Sequence, residues 1–453
     1  MNIGIDVDGV LTYYEEFQLK YGMKYFKNIP EDKIDKTKPD LRDMFGVSKK
    51  DYNKFWAKYI WKYCITEPMR KDASAVINKL SEEGNKIYII TSRAHVTETG
   101  FMGKIFRKML FDWLKKNNIN YEAIELCREK GSEIDKVEAC KKYNIDVMID
   151  DQVENIIETS KVCKEVLCFH SDYNKDVNGN NIKRVYNWND VYDEIHKMND
   201  KDYFTVKSNT EISQMSREDK IKYYNDLKEY IHNLPFDDKK YDSEEKFFSK
   251  IAKVGVPIFN LCFNPKIFGK ENIPNEKGYL LVSNHNNYYD QFPIISALGW
   301  DYPVHFLTAT KMLKLKRGGL YLKTGVVSVN REDEVDRKNS SLEIKKILSH
   351  RRSAGIFPEG RTNREHVFLM DFHPGAVAIA RDVGCPLLPI SVNDNYSKKN
   401  GDLCVRFGEP IYIEPDADVI EETAKLKNII GDLKQQNIDY CEEQKSLKRT
   451  RKN

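Results

Sequence analysis

The sequence predicts two α/β domains in tandem, and three observations carry that prediction. Its 453 residues exceed what one core usually organises. Short apolar strands alternate with helical stretches on both sides of a polar segment near residues 199–245. Each half also places reactive side chains just beyond the ends of its apolar runs.

In the first half, residues 1–196, the strands read IGIDV (3–7), KIYIIT (86–91), AIELC (123–127), DVMID (146–150) and EVLCF (165–169). Helices at 73–83, 101–117 and 135–143 separate them, a pattern that predicts a doubly wound parallel sheet. Residues 13–70, rich in aromatics and lysine as in DYNKFWAKYIWKY, read as a helical cap inserted above the sheet. Its rings either stack on a substrate base or form a helical core, and a core is the preferred reading. Residues 197–244 read as a charged linker with one helix at 216–232.

The second half, 245–435, opens on the amphipathic segment EEKFFSKIAKVGVPIFNLCF. Strands follow at 279–283, 304–308, 326–329, 354–357, 387–392 and 403–407, with helices at 291–298, 339–350 and 374–383. This is again α/β. Residues 436–453, ending KSLKRTRKN, read as a basic, mobile tail. The chain has no internal repeat.

Composition narrows the function classes. With 40% hydrophobic and 32% charged residues the chain is an ordinary globular protein, and a net charge of +3 argues against bulk nucleic-acid binding. The start MNIGIDVDGV has neither a basic n-region nor a long apolar stretch, so no signal peptide is expected. No run reaches the roughly 18–20 apolar residues of a membrane span, which leaves a soluble protein or one held on a membrane surface. The nine cysteines form no CxxC pair and fit a reducing cytoplasm. Cys163 and Cys168 read as packing residues.

Asp6 and Asp8 stand two apart in IGIDVDGVLT, a period that puts both carboxyl groups on one side of an extended strand and calls for a cation. Thr91 and Ser92 follow KIYII, Lys136 opens a helix, and Asp150 and Asp151 follow VMI. Acids offer hard oxygens for Mg²⁺, while hydroxyl and ammonium groups suit phosphate oxygens. Residues 1–196 thereby resemble a haloacid-dehalogenase-superfamily phosphohydrolase, nearest the 5′-deoxyribonucleotidase-like branch. The resemblance implies Asp6 as a nucleophile that forms an aspartyl-phosphate, and Asp8 as general acid and then base. It implies Thr91, Ser92 and Lys136 on the phosphoryl group, and Asp6, Asp8, Asp150 and Asp151 around Mg²⁺. Lys130 competes with Lys136 for the phosphate, and Arg93 is either a phosphate contact or a solvated loop charge. His95 and His170 read as surface residues.

In LLVSNHNNYYDQFPI, His285 stands five before Asp290, a spacing that pairs them only if His285 lies in the turn preceding the helix. A neutral imidazole held by a carboxylate is a general base of suitable strength near neutral pH. Residues 311–323 then carry five Lys or Arg and no acid, followed by Gly325 and Arg331. GIFPEGRTNRE presents Glu359, Gly360, Arg361 and Arg364, and Pro389 and FGEPI follow. In this order the blocks resemble the glycerolipid acyltransferases of the 1-acylglycerol-3-phosphate acyltransferase family over residues 245–435. The resemblance implies that His285, oriented by Asp290, deprotonates an acceptor hydroxyl that attacks an acyl thioester of coenzyme A or acyl carrier protein. Gly325, Arg331, Glu359, Gly360 and Arg361 would bind glycerol phosphate, with no metal or other cofactor in this half. The family commonly reads EGTR where this chain has EGRT, so Arg361 or Arg364 takes the arginine's role and acceptor identity is the open point. His305 and His373 read as structural, and Met312 and Leu313 as facing core or membrane.

The expected protein is a cytoplasmic enzyme, peripheral on the inner face of the membrane through FFSKIAKVGVPIFNLCF (247–263), for which the alternative is a helix packed on the domain. Its expected partners are a lysophospholipid, an acyl thioester and a phosphate ester, and no nucleic acid. Phosphatidate is the favoured product, with another lysophospholipid as the alternative acceptor. For the first domain a nucleotidase, a phosphatase of a lipid intermediate and a non-catalytic regulatory module stay open.

Overall fold

Six parallel strands build the sheet of the first half: β1 (Asn2–Ile5), β2 (Lys86–Thr91), β3 (Ala123–Leu126), β4 (Val147–Asp150), β5 (Glu165–Phe169) and β6 (Ile182–Val185). Their order is β3-β2-β1-β4-β5-β6, so β1 sits in the middle and is buried on both faces, as Ile3 and Ile5 require. Register pairs Ile5 with Ile89 and with Ile149, which brings Asp6, Thr91 and Asp150 to one edge of the sheet. That carboxyl edge is where open α/β sheets place ligands. β6 was not expected, because IKRV has two adjacent cations at its centre and only Val185 is fully buried. The computed structural model describes residues 1–127, 135–199, 204, 206–287, 289–313, 318–365, 367–394 and 402–450.

The chain divides into two units, Met1–Tyr203 and Phe204–Asn453. The cap of the first consists of helices Tyr14–Tyr25, Leu41–Phe45 and Lys49–Thr66. Gly46, left-handed at φ 60°, ends the second, and the Ser48 side chain starts the third by accepting from Asp51 N. Phe17, Phe55, Tyr59 and Tyr63 are buried, with ring centroids 4.9 Å apart for Phe17 and Tyr63 and for Phe55 and Tyr59.

The second unit holds a seven-stranded sheet: β7 (Lys266–Phe268), β8 (Leu280–Ser283), β9 (His305–Ala309), β10 (Val327–Val329), β11 (Ala354–Ile356), β12 (Leu387–Val392) and β13 (Cys404–Phe407). The order is β10-β9-β11-β8-β12-β13-β7, with only the β12–β13 pair antiparallel. β7 is the strand the sequence did not announce, since its three residues KIF are too few to show a period.

Two expectations about this half need correction. The segment expected to be a linker is part of the core from residue 217 onward: Tyr223, Tyr224, Leu227 and Ile231 of helix Arg217–Asn233 pack with Leu280, Val282 and Ile344. Their three-to-four-residue spacing was masked by the charges that fill the outer face of the helix. The expected mobile tail is instead the end of a 32-residue helix, Val419–Thr450. Leu426, Ile430, Lys434 and Asn437 recur on its buried face. Residues 451–453 lie outside the described chain. Helix Glu334–Ser349 also begins earlier than expected, because Asp333 caps it by accepting from Val335 N at 2.9 Å and Asp336 N at 3.2 Å.

Candidate active sites

At the carboxyl edge of the first sheet the Lys136 ammonium lies 2.9 Å from Asp6 Oδ1 and 2.6 Å from Asp150 Oδ2. Asp135 sets its position by capping helix Lys136–Lys142 through Glu138 N. Asp150 Oδ1 accepts from Gln152 N at 2.9 Å. Asp151 takes a short hydrogen bond from the Tyr173 hydroxyl, and its carbonyl accepts from Asn174 Nδ2 at 2.8 Å. Asp6, Asp150 and Asp151 are 4%, 0% and 1% exposed, and one oxygen from each lies within 4.8 Å of the others. Burial, with Asp150 and Asp8 adding and Lys136 opposing, pushes the Asp6 carboxyl up to about 7. Burial first, then Asp150 and Asp6, raises Asp151 well above the carboxylate range. Burial works against the Lys136 ammonium, but Asp150 and Asp6 outweigh it and raise its pKa.

Three buried carboxylates thus face one ammonium, and Asp151 Oδ1 is buried without a hydrogen-bond partner. A small divalent cation with oxygen preference fits that excess of negative charge and that free oxygen. Asp8 is outside the group, contrary to the expectation that both acids of the DxD pair hold metal. The strand ends at Ile5, two residues earlier than read, and Asp8 already lies in the turn that runs on through Gly9 at φ 85°. Asp8 Oδ1 instead accepts from the Tyr63 hydroxyl at 2.6 Å and lies 3.5 Å from Arg93 Nε. Thr91 is fully buried with an unpartnered Oγ1 at this edge, whereas Ser92 is exposed. Arg93, 6% exposed, is not a solvated charge. Lys130 lies outside the described residues.

In the second unit His285 occupies the turn between β8 and helix Gln291–Leu298, as its spacing from Asp290 demanded. That turn is pinned on several sides. Asn284 exchanges hydrogen bonds with Val392 of β12 at 2.8 and 3.0 Å. His285 N donates to Glu359 Oε1 at 2.8 Å, and His285 O accepts from Asn363 N at 2.7 Å. Phe357 stacks on the imidazole with centroids 4.3 Å apart. His285 Nδ1 lies 3.1 Å from Asp290 Oδ2, which also accepts from Asn286 N at 2.6 Å and Asn287 N at 2.7 Å. With two backbone N–H groups donating to Oδ2, the carboxylate presents an acceptor to Nδ1, and a ring proton on Nδ1 leaves the Nε2 lone pair free. Thr362 Oγ1 is 3.3 Å from Nε2. Buried Glu359 has its pKa raised by burial, against the hydrogen bonds from His285 N and Met370 N.

His285 opens onto a cavity of about 2360 Å³, larger than the roughly 300–1,000 Å³ of small-ligand pockets. Apolar walls come from Phe248, Ile251, Phe259, Phe292 and Ile295, while Lys311, Arg331, Arg337, Arg361 and Arg364 supply cations. Arg361 is paired with Glu365 at 2.6 Å. Gly360, left-handed at φ 69°, leaves room for His373, whose ring a Cβ would meet at 2.8 Å. Gly325 has a different place from the one expected: its carbonyl accepts from His305 Nδ1 at 2.7 Å, and a Cβ there would meet that nitrogen at 2.6 Å. It shapes the turn, while its neighbours Thr324 and Val326 line the cavity. Lys314, Lys316 and Arg317 of the basic run lie outside the described residues. Sequence reasoning missed Tyr63, Tyr173 and Thr362. Their partners are distant in the chain, and no spacing announces such contacts.

Residues 1–201 match the family model described as 5′ nucleotidase, deoxy (Pyrimidine), cytosolic type C protein, and residues 264–393 match the model described as Acyltransferase. A nucleotidase of Clostridium acetobutylicum is 30% identical over 203 residues, covering 44% of this chain and 96% of that protein. A 1-acyl-sn-glycerol-3-phosphate acyltransferase of Bacillus subtilis is 29% identical over 175 residues, covering 37% and 82%. The crystal structure of a 1-acyl-sn-glycerophosphate acyltransferase from Thermotoga maritima aligns at 16% identity and a TM-score of 0.34, covering 48% and 90%.

Proposed function

Because this chain is a member of the cytosolic type C 5′ nucleotidase family fused to an acyltransferase-family domain, we propose that it transfers a fatty acyl group to 1-acylglycerol 3-phosphate and separately hydrolyses a phosphate monoester. The observation that carries the first activity is the His285–Asp290 pair at the mouth of a lipid-sized cavity flanked by guanidinium groups. Nε2 of His285 takes the proton of the acceptor hydroxyl as its oxygen bonds to the acyl carbon. The C–S bond then breaks, and the thiolate of coenzyme A or acyl carrier protein recovers that proton. Asp290 holds the ring and stabilises the imidazolium. Arg331, Arg361 and Arg364 bind the acceptor's phosphate, and Glu359 and Gly360 hold the loop that carries the last two. A different lysophospholipid acceptor is the second reading, favoured by the EGRT order and by the Arg361–Glu365 pair, which leaves that guanidinium partly committed.

For the first unit, Asp6 attacks phosphorus while the bond to the leaving oxygen breaks, and Asp8 delivers a proton to that oxygen. Asp8 then takes a proton from the water that hydrolyses the aspartyl-phosphate. Asp6, Asp150 and Asp151 would hold Mg²⁺, which when bound offsets the phosphoryl charge. Thr91 and Lys136 orient the phosphoryl oxygens. Peripheral membrane contact is supported by the exposed apolar end of helix Asp238–Phe263, where Val254, Ile258 and Leu261 are 64%, 58% and 88% exposed. Among the described residues, no helix is long and apolar enough to cross a membrane.

The test incubates the purified chain with radiolabelled oleoyl-CoA and a panel of lysophospholipids. Label should enter phosphatidate, and its absence from every product would refute the acyltransferase assignment. Malachite-green assays over a panel of phosphate esters, with and without Mg²⁺, address the first unit. A purified chain that releases no phosphate from any ester would favour a binding module there.

A further inference from the structure

Tyr63 belongs to cap helix Lys49–Thr66, yet its hydroxyl reaches the motif after β1. It donates to Asp8 Oδ1 at 2.6 Å and lies 2.7 Å from Thr12 Oγ1, which bonds the Val7 carbonyl. Arg93 approaches the same Oδ1 from the β2 side, with Nε at 3.5 Å and its guanidinium 4.8 Å from the Tyr63 ring centroid. Tyr63 is 2% exposed and Arg93 6%, so both donors act where water does not compete. The remaining contacts of the Tyr63 ring are with Tyr14, Phe17 and Trp56, at 5.4, 4.9 and 6.1 Å between centroids.

We propose that Tyr63, backed by Arg93, is a positioning residue that clamps Oδ1 of Asp8 and so presents Oδ2 to the leaving-group oxygen. The inference rests on the reading of Asp8 as the acid of the phosphatase reaction. The Tyr63 hydroxyl donating to Oδ1 and the Arg93 cation paired with it keep that oxygen an acceptor, so the transferable proton belongs on Oδ2. Asp8 remains partly exposed, with 22% of its side chain accessible, as delivery to a substrate requires. Since the clamp comes from the cap, the acid is aligned only while the cap helix is seated against the turn at Gly9. The cap thereby contributes to chemistry as well as to substrate fit.

A clamp on the acid has a signature that a packing role lacks. An ester with an acidic phenol as leaving group departs without proton assistance, whereas an alkyl ester does not. The experiment compares kcat and KM of the full chain and its Tyr63→Phe and Asp8→Asn variants on p-nitrophenyl phosphate and on the primary alkyl phosphate that the chain turns over fastest. Phenylalanine keeps the ring contacts and removes the hydroxyl. For Tyr63→Phe the kcat/KM ratio of nitrophenyl to alkyl ester, which reports expulsion of the leaving group and not the hydrolysis step both esters share, should rise about tenfold, and for Asp8→Asn it should rise further, toward 10²-fold or more. Equal losses on both esters, or no loss on either while Asp8→Asn shows its selectivity, would overturn the role of Tyr63 alone. An unselective Asp8→Asn would remove the acid assignment and this inference with it. Should Tyr63→Phe lose its fold by circular dichroism, Thr12→Val serves instead, with a selectivity of the same direction expected and its absence counting against the clamp.

Discussion

At position 9 a single methyl group would reach Asp151 Oδ2 at 2.0 Å, on a backbone already at φ 85°. Gly9→Ala should therefore cost the chain its Mg²⁺ response. At a hundredfold excess over Kd a bound ion stabilises by about 2.7 kcal/mol, and the melting-temperature increment that Mg²⁺ gives the wild-type chain should disappear in the variant. Unchanged increments would place the ion elsewhere. His285→Ala should lower acyl transfer on the order of 10³-fold, and Asp290→Asn about 10²-fold, because the ring loses its orienting acceptor. An alanine variant that still forms phosphatidate at near the wild-type rate would refute the base assignment. Much of this arrangement was legible from residue order, since Asp6, Thr91 and Asp150 stand at the ends of recognisable strands and Lys136 opens a helix. Asp8 was misread because alternation was extended past Ile5 into a turn. Tyr63 and Thr362 were illegible because each meets its partner across more than fifty residues, 55 to Asp8 and 77 to His285.

Among the elements, helix Asp238–Phe263 does two jobs. Tyr241, Phe248 and Ala252 are buried, while Val254, Ile258 and Leu261 face outward beside the cavity wall formed by Ile251 and Phe259. Replacing Ile258 and Leu261 by serine should weaken sedimentation with anionic phospholipid vesicles several-fold while leaving the melting temperature near that of the parent, because both side chains are already exposed. Binding that persisted unchanged would assign the docking face to another element. Helix Val419–Thr450 is the opposite case. Asn437 accepts from Arg406 Nε at 3.1 Å and donates to Ser391 O at 3.2 Å, both on the inner strands. A chain ending at residue 435 should lose about 2–5 kcal/mol from these two hydrogen bonds, one buried and one partly buried, and the missing packing, read as a lower midpoint in urea unfolding. The existence of the first of these helices was legible because its apolar period survives in sequence. The placement of the last helix was not, because lysine and asparagine occupy core positions: Lys434 is fully buried on the carbonyl of Phe368 and the carboxylate of Asp394.

For the molecule as a whole, the two proposed reactions call on separate side chains in separate units, so they should be separable by substitution. Asp6→Asn is expected to abolish phosphate release and leave acyl transfer within about twofold, and His285→Ala to do the reverse, when both products are followed in one purified preparation. Loss of both activities in either variant would reveal coupling between the units. Chelation by EDTA should track Asp6→Asn. The sequence conveyed that two α/β domains exist, because each half repeats the alternation of strands and helices. It did not convey strand order, such as β11 lying between β9 and β8, since periodicity records which face is buried and is silent about neighbours.

If the chain acylates a lysophospholipid as proposed, the outward apolar turn at Val254, Ile258 and Leu261 carries a kinetic corollary. Once that turn rests among lipid headgroups, encounter becomes two-dimensional. Velocity then follows the mole fraction of acceptor in the sheet of lipid, and diluting the acceptor with inert phospholipid slows the reaction even at constant bulk concentration.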